Sequence, residues 1–165
     1  MRQYIVDSNF FIQAHRETYP IDVVSSFWHK IKQLASDGKI ISIDKVHAEI
    51  CDNSSDILSI WCKDNLMKEF FLNSASVTGQ YTQVVQAAER RIPAYNKRAK
   101  DEFYDAKEAD AWLIAHAMAL GSTIVTHEVS KPDKIGKVKI PDICNMLGIK
   151  TITTIQMFRE LGEKF

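Results

Sequence analysis

An α/β fold, with helices on both faces of a mostly parallel central sheet, is predicted by short apolar segments that alternate with longer helical patterns. Each short segment is too brief for a helix and is typical of a buried strand. We therefore expect a three-layer α/β/α sandwich. The predicted strands are Tyr4–Val6, Ile40–Ile43, Thr123–Val125 and residues 150–152.

Helices are predicted where apolar residues recur every three or four positions. Gly38 and Gly121 follow two of these patterns, as glycine commonly does at a helix C-terminus, and Pro93 interrupts a third. Asp105 and Glu108 have the spacing of a capping box, which would open the helix that Gly121 ends. The predicted helices cover residues 21–37, 44–50, 57–71, 81–92, 105–120, 141–147 and 155–161.

The composition is that of an ordinary globular protein, with 165 residues of which 45% are hydrophobic and 25% are charged. No linker or repeat interrupts the chain, so we predict a single domain over residues 1–165. No apolar run approaches the roughly 20 residues that span a bilayer, and an early acid at Asp7 argues against a signal peptide. Three widely spaced cysteines form no disulfide framework, so we expect reduced thiols in a cytoplasmic protein.

Four acidic residues stand where a parallel sheet would bring them together. Asp7 directly follows the first strand, and Glu128 comes shortly after the strand Thr123–Val125. Glu49 lies in the helix after the second strand, and Asp110 lies near the start of the helix that leads to the third. Ligands of open parallel sheets bind beyond the carboxyl ends of the strands, near the point where the strand order reverses. We therefore expect the four carboxylates to converge at that edge.

Clustered carboxylates repel one another unless a cation lies among them, because unit charges about 4 Å apart repel by several kcal/mol at intermediate dielectric. Mg²⁺ and Mn²⁺ prefer oxygen ligands, and two such ions about 4 Å apart can activate a water and stabilise the leaving oxygen of a phosphodiester. The helix that contains Asp110 would direct its N-terminal dipole at the phosphate. Each acid alone has an ordinary interpretation as a solvated residue or a helix cap, so the prediction depends on all four converging.

Two other enzyme classes also place an aspartate after a strand. Haloacid-dehalogenase phosphatases need a second aspartate two residues later, where this chain has Asn9. Receiver domains need a paired acidic group near the N-terminus, and neither class accounts for Asp110. The alternative that stays open is a non-catalytic binding module that uses the acidic edge to hold a protein partner.

Four segments resemble those of PIN-domain proteins, in the same order over nearly the whole chain. Residues 4–9 (YIVDSN) resemble the opening strand of that family, which ends in an aspartate, and residues 46–50 (VHAEI) resemble the helix with its second acid. Residues 108–117 (EADAWLIAHA) are similar to its most recognisable stretch, an aspartate followed by an alanine-rich helix. Residues 123–128 (TIVTHE) resemble its last site strand. The Thr-His-Glu ending and residues 139–144 (KIPDIC) are similar to the PIN-like branch called DUF4411.

The resemblance implies a cytoplasmic endoribonuclease that hydrolyses phosphodiester bonds in single-stranded or structured RNA. Most small bacterial members are ribonuclease toxins of the VapC kind, which a cognate antitoxin protein holds inactive, and a homodimer is compatible with the family. The resemblance also implies roles for individual residues. It implies that Mg²⁺ or Mn²⁺ is bound by Asp7, Glu49, Asp110 and Glu128, and that ligands or water are oriented by Ser8 or Asn9 and by Thr126.

Two acids raise questions within this resemblance. Glu128 stands where aspartate or asparagine is commoner, and its longer side chain would shift a second metal ion. Asp142 follows a proline at the start of a predicted helix. Its role stays open between that of a further metal ligand and that of a helix cap. The number of metal ions therefore stays open as well.

The chain has no net charge, so any grip on nucleic acid must come from local basic patches. The densest basic segment, residues 89–100, precedes Asp110, and Tyr95, Phe103 or Tyr104 could stack on an unpaired base. A solvated helical face is the alternative interpretation of this segment. The predicted phosphate contacts are Arg90, Arg91, Lys97 and Arg98, and the same question applies to a second basic run at Lys131, Lys134, Lys137 and Lys139.

Several aromatic and histidine residues have ordinary packing roles in this prediction. Trp28, Trp61 and Trp112 fall at core-facing helical positions, and His116 lies on the apolar side of its helix. His127 is adjacent to Glu128, so a contact with the substrate or with a metal ligand is considered for it.

Overall fold

The computed structural model describes residues 2–52 and 55–165, and its centre is a five-stranded sheet in which all neighbouring strands are parallel. Helices pack against this sheet, so the predicted α/β/α sandwich is confirmed. The strands are β1 (Tyr4–Val6), β2 (Ile40–Ile43), β3 (Phe71–Leu72), β4 (Thr123–Val125) and β5 (Thr151–Ile152), in the order β3-β2-β1-β4-β5.

The strand order reverses between β1 and β4. From β1 the chain adds β2 and β3 on one side, and it later adds β4 and β5 on the other. The register pairs Val6 with Val125, so the carboxyl ends of β1 and β4 lie at the same level. Because both of these apolar strand ends are fully buried, the crevice expected at such a reversal opens only beyond Val6 and Val125.

Nine α-helices lie between and after the strands within the described residues, and a glycine with left-handed backbone follows the end of four of them, the helix that ends at Ser36 included. Gly121 is one of these, as the sequence predicts. The helices are α1 (Ser8–Gln13), α2 (Ser25–Ser36), α3 (Asp44–Cys51), α4 (Ile57–Asn65), α5 (Thr78–Arg90), α6 (Lys97–Tyr104), α7 (Ala109–Leu120), α8 (Ile140–Leu147) and α9 (Thr154–Leu161).

The prediction of one helix over residues 57–71 is wrong beyond Asn65. Leu66 has an extended backbone, with φ −103° and ψ 128°, and a short 3₁₀ turn leads from there into β3. β3 contains only two residues and pairs with the end of β2. A strand this short shows no alternation along the sequence, so only its partner strand defines it. The helices α1 and α6 were also not predicted.

The predicted packing roles are confirmed for the aromatic residues and the thiols. Trp28 and Trp112 are buried, and Trp61 packs edge-on against Trp28 with ring centroids 4.8 Å apart. All three cysteines are buried and free. Within residues 2–52 and 55–165, no helix has the length and apolar character needed to cross a bilayer.

Candidate functional site

Asp7 and Thr126 occupy the carboxyl ends of β1 and β4, the strands between which the order reverses. Asp7 is the N-cap of α1, and its Oδ1 accepts a hydrogen bond from the backbone N–H of Phe10 at 2.8 Å. Its Oδ2 accepts a hydrogen bond from Thr126 Oγ1 at 2.9 Å. The same threonine oxygen accepts a hydrogen bond from the backbone N–H of Glu128 at 3.2 Å. One hydroxyl group therefore joins both strand ends to Glu128.

Glu49 reaches the same edge from α3. The hydroxyl of Ser8 donates a hydrogen bond to Glu49 Oε2. Glu49 Oε1 accepts a hydrogen bond from the backbone N–H of Ala109, the first residue of α7, at 3.3 Å. This single carboxylate therefore ties together α1, α3 and the N-terminus of α7.

The contact from Glu49 takes the place of the capping box that was predicted for Asp105 and Glu108. Glu108 is the N-cap residue of α7 and makes no side-chain capping hydrogen bond. Asp105 instead accepts a hydrogen bond from the nearby backbone N–H of Lys107 at 2.9 Å. The capping-box prediction is wrong because α7 begins only at Ala109, where a carboxylate distant in sequence provides the acceptor.

Glu128 faces the N-terminus of a second helix. Its Oε2 accepts a hydrogen bond from the backbone N–H of Ile140, the first residue of α8, at 2.7 Å. The N-cap residue of α8, Lys139, makes no side-chain capping hydrogen bond. The N–H of Ile140 and the positive end of α8 attract this carboxylate electrostatically. Glu128 is thus held in place by α8.

Asp110 lies in the first turn of α7, and among the described residues its carboxyl makes no hydrogen bond with the protein. Burial, together with the negative charges of Glu128, Asp7 and Glu49, raises the pKa of Asp110 to about 8. The positive charge of Lys137 opposes this shift. Asp110 is therefore the acid whose charge is compensated least by hydrogen bonds.

Asp7 is almost fully buried, and burial raises the pKa of its carboxyl to about 7. The hydrogen bonds from Phe10 and Thr126 lower this pKa, and the charges of Glu128 and Glu49 raise it. Burial also raises the pKa of Glu49. The structure thus brings together, at the edge where the strand order reverses, the four acids that the sequence placed there.

The chemistry of these four side chains suits a hard cation, because all of the donors are carboxylate oxygens and their mutual repulsion favours a positive charge among them. Their arrangement is less complete. Across residues 2–52 and 55–165, no three His, Cys, Asp or Glu side chains are grouped so as to hold a metal ion. Asp7, Glu49 and Glu128 each direct carboxylate oxygens at protein N–H or O–H donors instead. A cation would therefore bind by competing with these donors.

The three supporting residues predicted beside the acids have different surroundings. Ser8 and Thr126 are buried, and each donates to one of the acids, Glu49 and Asp7 respectively. Asn9 is exposed and lines a cleft beside Glu128. Ser8 and Thr126 therefore fix carboxylate orientation, and Asn9 faces the space that a ligand would enter.

Arg91 does not have the role in substrate binding that was predicted for it. Its side chain is buried, and its guanidinium donates hydrogen bonds to the carbonyl oxygens of Pro93, Lys131 and Pro132, at 3.2, 3.2 and 2.5 Å. The guanidinium also lies 3.9 Å from the ring centroid of Tyr95. Arg91 therefore anchors the loop after Glu128 from inside the protein and has no surface to offer to RNA.

The other residues of the predicted basic segment remain at the surface, with less free charge than expected. Lys97 forms an ion pair with Asp101 at 2.5 Å, and Arg90 and Arg98 are exposed. The stacking role proposed for nearby aromatic residues is wrong for Tyr95 and Phe103, because both rings are buried. The hydroxyl of Tyr104 donates a hydrogen bond to Glu89 at 2.5 Å.

Asp142 takes neither of the two roles that the sequence left open. Its carboxylate accepts hydrogen bonds from the backbone N–H of Lys131 at 3.1 Å and from the hydroxyl of Ser130 at 2.5 Å. These partners lie in the loop between β4 and α8, so Asp142 neither caps its own helix nor joins the four acids. Asp142 and Arg91 therefore hold the same loop from two directions.

We expect Arg91→Ala to destabilise the protein by about 2–3 kcal/mol, because three carbonyl oxygens lose a charged donor and the buried Tyr95 ring loses its partner. Thermal melting of the purified protein should show a fall of roughly 5–10 °C for a chain of this length. The exposed neighbour Arg90 provides the matched control, and Arg90→Ala should change stability by less than about 0.5 kcal/mol. Equal melting temperatures for the two variants would contradict the anchoring role.

Two histidines near the site differ in accessibility. His127 lines the cleft beside Glu128, and its Nε2 lies 3.0 Å from the hydroxyl oxygen of Thr154. Burial lowers the pKa of His127. His116 is buried in α7, as predicted for a packed histidine, and its Nε2 has no hydrogen-bond partner among the described residues.

Comparison with known proteins identifies the family of this chain. A family model described as "Domain of unknown function (DUF4411)" matches residues 4–165, which include all four acids and every element of the fold. No curated protein matches the chain. The matched description assigns no activity, so any functional inference has to come from the site itself.

Proposed function

We propose that this chain, which belongs to the DUF4411 family, is a metal-dependent phosphodiesterase that cleaves RNA. One observation carries the proposal: four carboxylates from separate segments meet at the edge where the strand order reverses. Two of them have strongly raised pKa values, about 7 for Asp7 and about 8 for Asp110. Carboxyl groups perturbed by burial and by specific charged neighbours concentrate at functional sites.

The residues that would hold Mg²⁺ or Mn²⁺ are Asp7, Glu49, Asp110 and Glu128. When bound, such an ion lowers the pKa of a water molecule and stabilises negative charge on the oxygens of a phosphodiester. Near neutral pH, the raised pKa means that the Asp110 carboxyl retains its proton for much of the time in the metal-free protein. Cation binding would release this proton.

The surrounding residues orient the carboxylates. The Thr126 hydroxyl holds Asp7, and the Ser8 hydroxyl holds Glu49. The N-terminus of α7 lies at the site, where the N–H of Ala109 binds Glu49, and its positive end would favour a phosphate bound beside it. Such preorganised dipoles stabilise charge that develops in a transition state.

A finer assignment rests on the order of the four acid-bearing segments, which supports a PIN-like nuclease and, with it, a cytoplasmic ribonuclease toxin of the VapC kind. A free nuclease would need restraint inside the cell. We therefore propose a small cognate antitoxin protein that covers the acidic edge and inserts a basic side chain among the carboxylates in place of the metal ion. The repulsion among these acids would favour such a cation as it favours a metal.

A non-catalytic binding module is the second candidate function, and the absence of a ready-made metal-holding group in the described ranges favours it. In that case the acidic edge would hold a basic segment of a protein partner by charge alone. The two candidates differ in what a divalent cation does, because only the nuclease requires one.

The proposed activity can be tested with the purified chain, a fluorescently labelled single-stranded RNA and a folded transfer RNA. We expect cleavage in the presence of Mn²⁺ or Mg²⁺ and none in excess EDTA. Asp7→Asn, purified in parallel, should abolish cleavage, and Asp64→Asn, which changes an exposed aspartate of α4, should retain it. Cleavage that persists at the wild-type rate in Asp7→Asn would contradict the assignment of the activity to these acids. No cleavage of either RNA with either metal would contradict the proposal.

A further inference from the structure

A cleft of about 300 Å³ opens beside the four acids, between α1 and the loop that joins β4 to α8. Glu128 forms part of its wall, so the cleft is continuous with the acidic edge. Three of its lining residues are lysines, and no large aromatic ring takes part. The lining consists of Asn9, Gln13, His127, Glu128, Val129, Lys131, Lys137 and Lys139.

The charges of these three lysines are available to a ligand. Within the described residues, Lys131, Lys137 and Lys139 form no ion pair, whereas Lys97 is paired with Asp101 and Lys100 with Glu89. The basic segment before Asp110 is denser in sequence, but its lysines are already neutralised by neighbours. In the part of the chain that the structure describes, the cleft therefore offers three lysines without an ion pair, next to a single acidic lining residue, Glu128.

Lys137 connects the cleft to the acids. It lines the cleft together with Glu128, and it also lines a small cavity together with Asp110 and Glu108. Its charge acts on the Asp110 carboxyl from this position. A polyanion bound along the lysines would therefore lie next to Asp110 and Glu128.

The loop that carries these lysines is held in place from several sides. The Arg91 guanidinium binds the carbonyl oxygens of Lys131 and Pro132, and Asp142 accepts the backbone N–H of Lys131. The backbone N–H of Asn96 donates to the carbonyl oxygen of Ile135 at 3.0 Å. A surface that is already ordered loses less conformational entropy when it binds a ligand.

We infer that Lys131, Lys137 and Lys139 form the binding surface for the phosphate backbone of the RNA. The inference rests on the proposed function for the identity of the ligand. It replaces the predicted contacts at Arg90, Arg91, Lys97 and Arg98, of which Arg91 is buried and Lys97 is paired. Because the cleft has no large aromatic ring for stacking, it binds the backbone with little preference for base sequence.

Binding of a 12-nucleotide uridine RNA in EDTA, measured by fluorescence anisotropy over a range of salt concentrations, tests this inference without any cleavage. For single strands, each lost phosphate contact lowers the slope of log affinity against log salt by roughly 0.7. The variant with Lys131, Lys137 and Lys139 all changed to Ala should therefore lose about 2 from the magnitude of the slope. The matched control changes Arg90, Lys97 and Arg98 to Ala, and we expect its slope to be unchanged.

A second variant with the same three lysines changed to Arg keeps the charge, and it should keep the slope of the wild-type protein. Thermal melting verifies that each variant is folded. An unchanged slope in the lysine-to-alanine variant, a loss confined to the control variant, or the absence of RNA binding by the wild-type protein would each overturn the inference. Binding with the expected slopes but without cleavage in Mn²⁺ would uphold the lysine surface and refute the nuclease.

Discussion

Asp110→Asn is expected to abolish RNA cleavage, with a loss of at least about 1000-fold in rate. An amide in this position carries no negative charge to hold a divalent cation, and α7 provides no second acid at the same point. The rate is measured with labelled RNA in saturating Mn²⁺. Asn keeps the size of the side chain, so a loss of activity in a variant that is folded and at least as stable as wild type identifies a chemical role.

The same substitution is expected to stabilise the metal-free protein. The unfolded chain has an ordinary aspartate pKa near 3.8, whereas the pKa of Asp110 in the folded protein is about 8. Between these pH values the folded protein keeps a proton that the unfolded chain has lost, so rising pH destabilises the wild-type fold over this range. Asn has no such dependence. We expect Asp110→Asn to be more stable than wild type by several kcal/mol at pH 8.5 and by very little at pH 4.

Melting in EDTA at both pH values distinguishes this electrostatic effect from a change in packing. Asp64→Asn, in an exposed position on α4, serves as the control and should show no gain that grows with pH. An Asp110→Asn variant that is fully active, or one that is destabilised at pH 8.5, would contradict the assignment of Asp110 to a repelling acidic cluster.

Mn²⁺ is expected to raise the melting temperature strongly at pH 8.5 and hardly at pH 5.5. A ligand at 100 times its dissociation constant stabilises a folded protein by about 2.7 kcal/mol, which corresponds to a rise of roughly 5–10 °C for a chain of this length. With pKa values of about 7 and 8, Asp7 and Asp110 hold protons at pH 5.5 that the metal ion must displace. The affinity for the ion therefore falls as the pH falls.

Asp110→Asn is the control for this measurement, because it should remove most of the Mn²⁺ effect at pH 8.5 while leaving the protein folded. A melting temperature that does not respond to Mn²⁺ at either pH would favour the non-catalytic module, in which the acidic edge binds a protein partner. A response of equal size at both pH values would show that the ion binds elsewhere.

The sequence alone predicted four of the five strands, because a short apolar run such as Ile40–Ile43 is typical of a buried strand. The four acids were located for a related reason. In a parallel sheet, the carboxyl ends of all strands lie at the same edge, so a residue that follows a buried strand lies at that edge. Asp7 and Glu128 could therefore be placed from the positions of β1 and β4. Local pattern and chain order together determined the fold class and the place of the site.

What the tertiary structure decided depends on contacts between residues far apart in the chain. β3 is a strand only because it pairs with β2. Glu49 accepts a hydrogen bond from the first residue of α7 only because α3 passes the N-terminus of that helix. The sequence alone predicted Arg91 to be exposed, like the basic residues near it. In the folded chain its side chain is buried, and its guanidinium donates a hydrogen bond to the carbonyl oxygen of Pro132. No periodicity within a single segment carries such information, because desolvation and hydrogen bonding of a side chain are fixed by whatever segment packs against it. For the same physical reason, only the folded chain shows which lysines face the acids and which are neutralised by a neighbouring carboxylate.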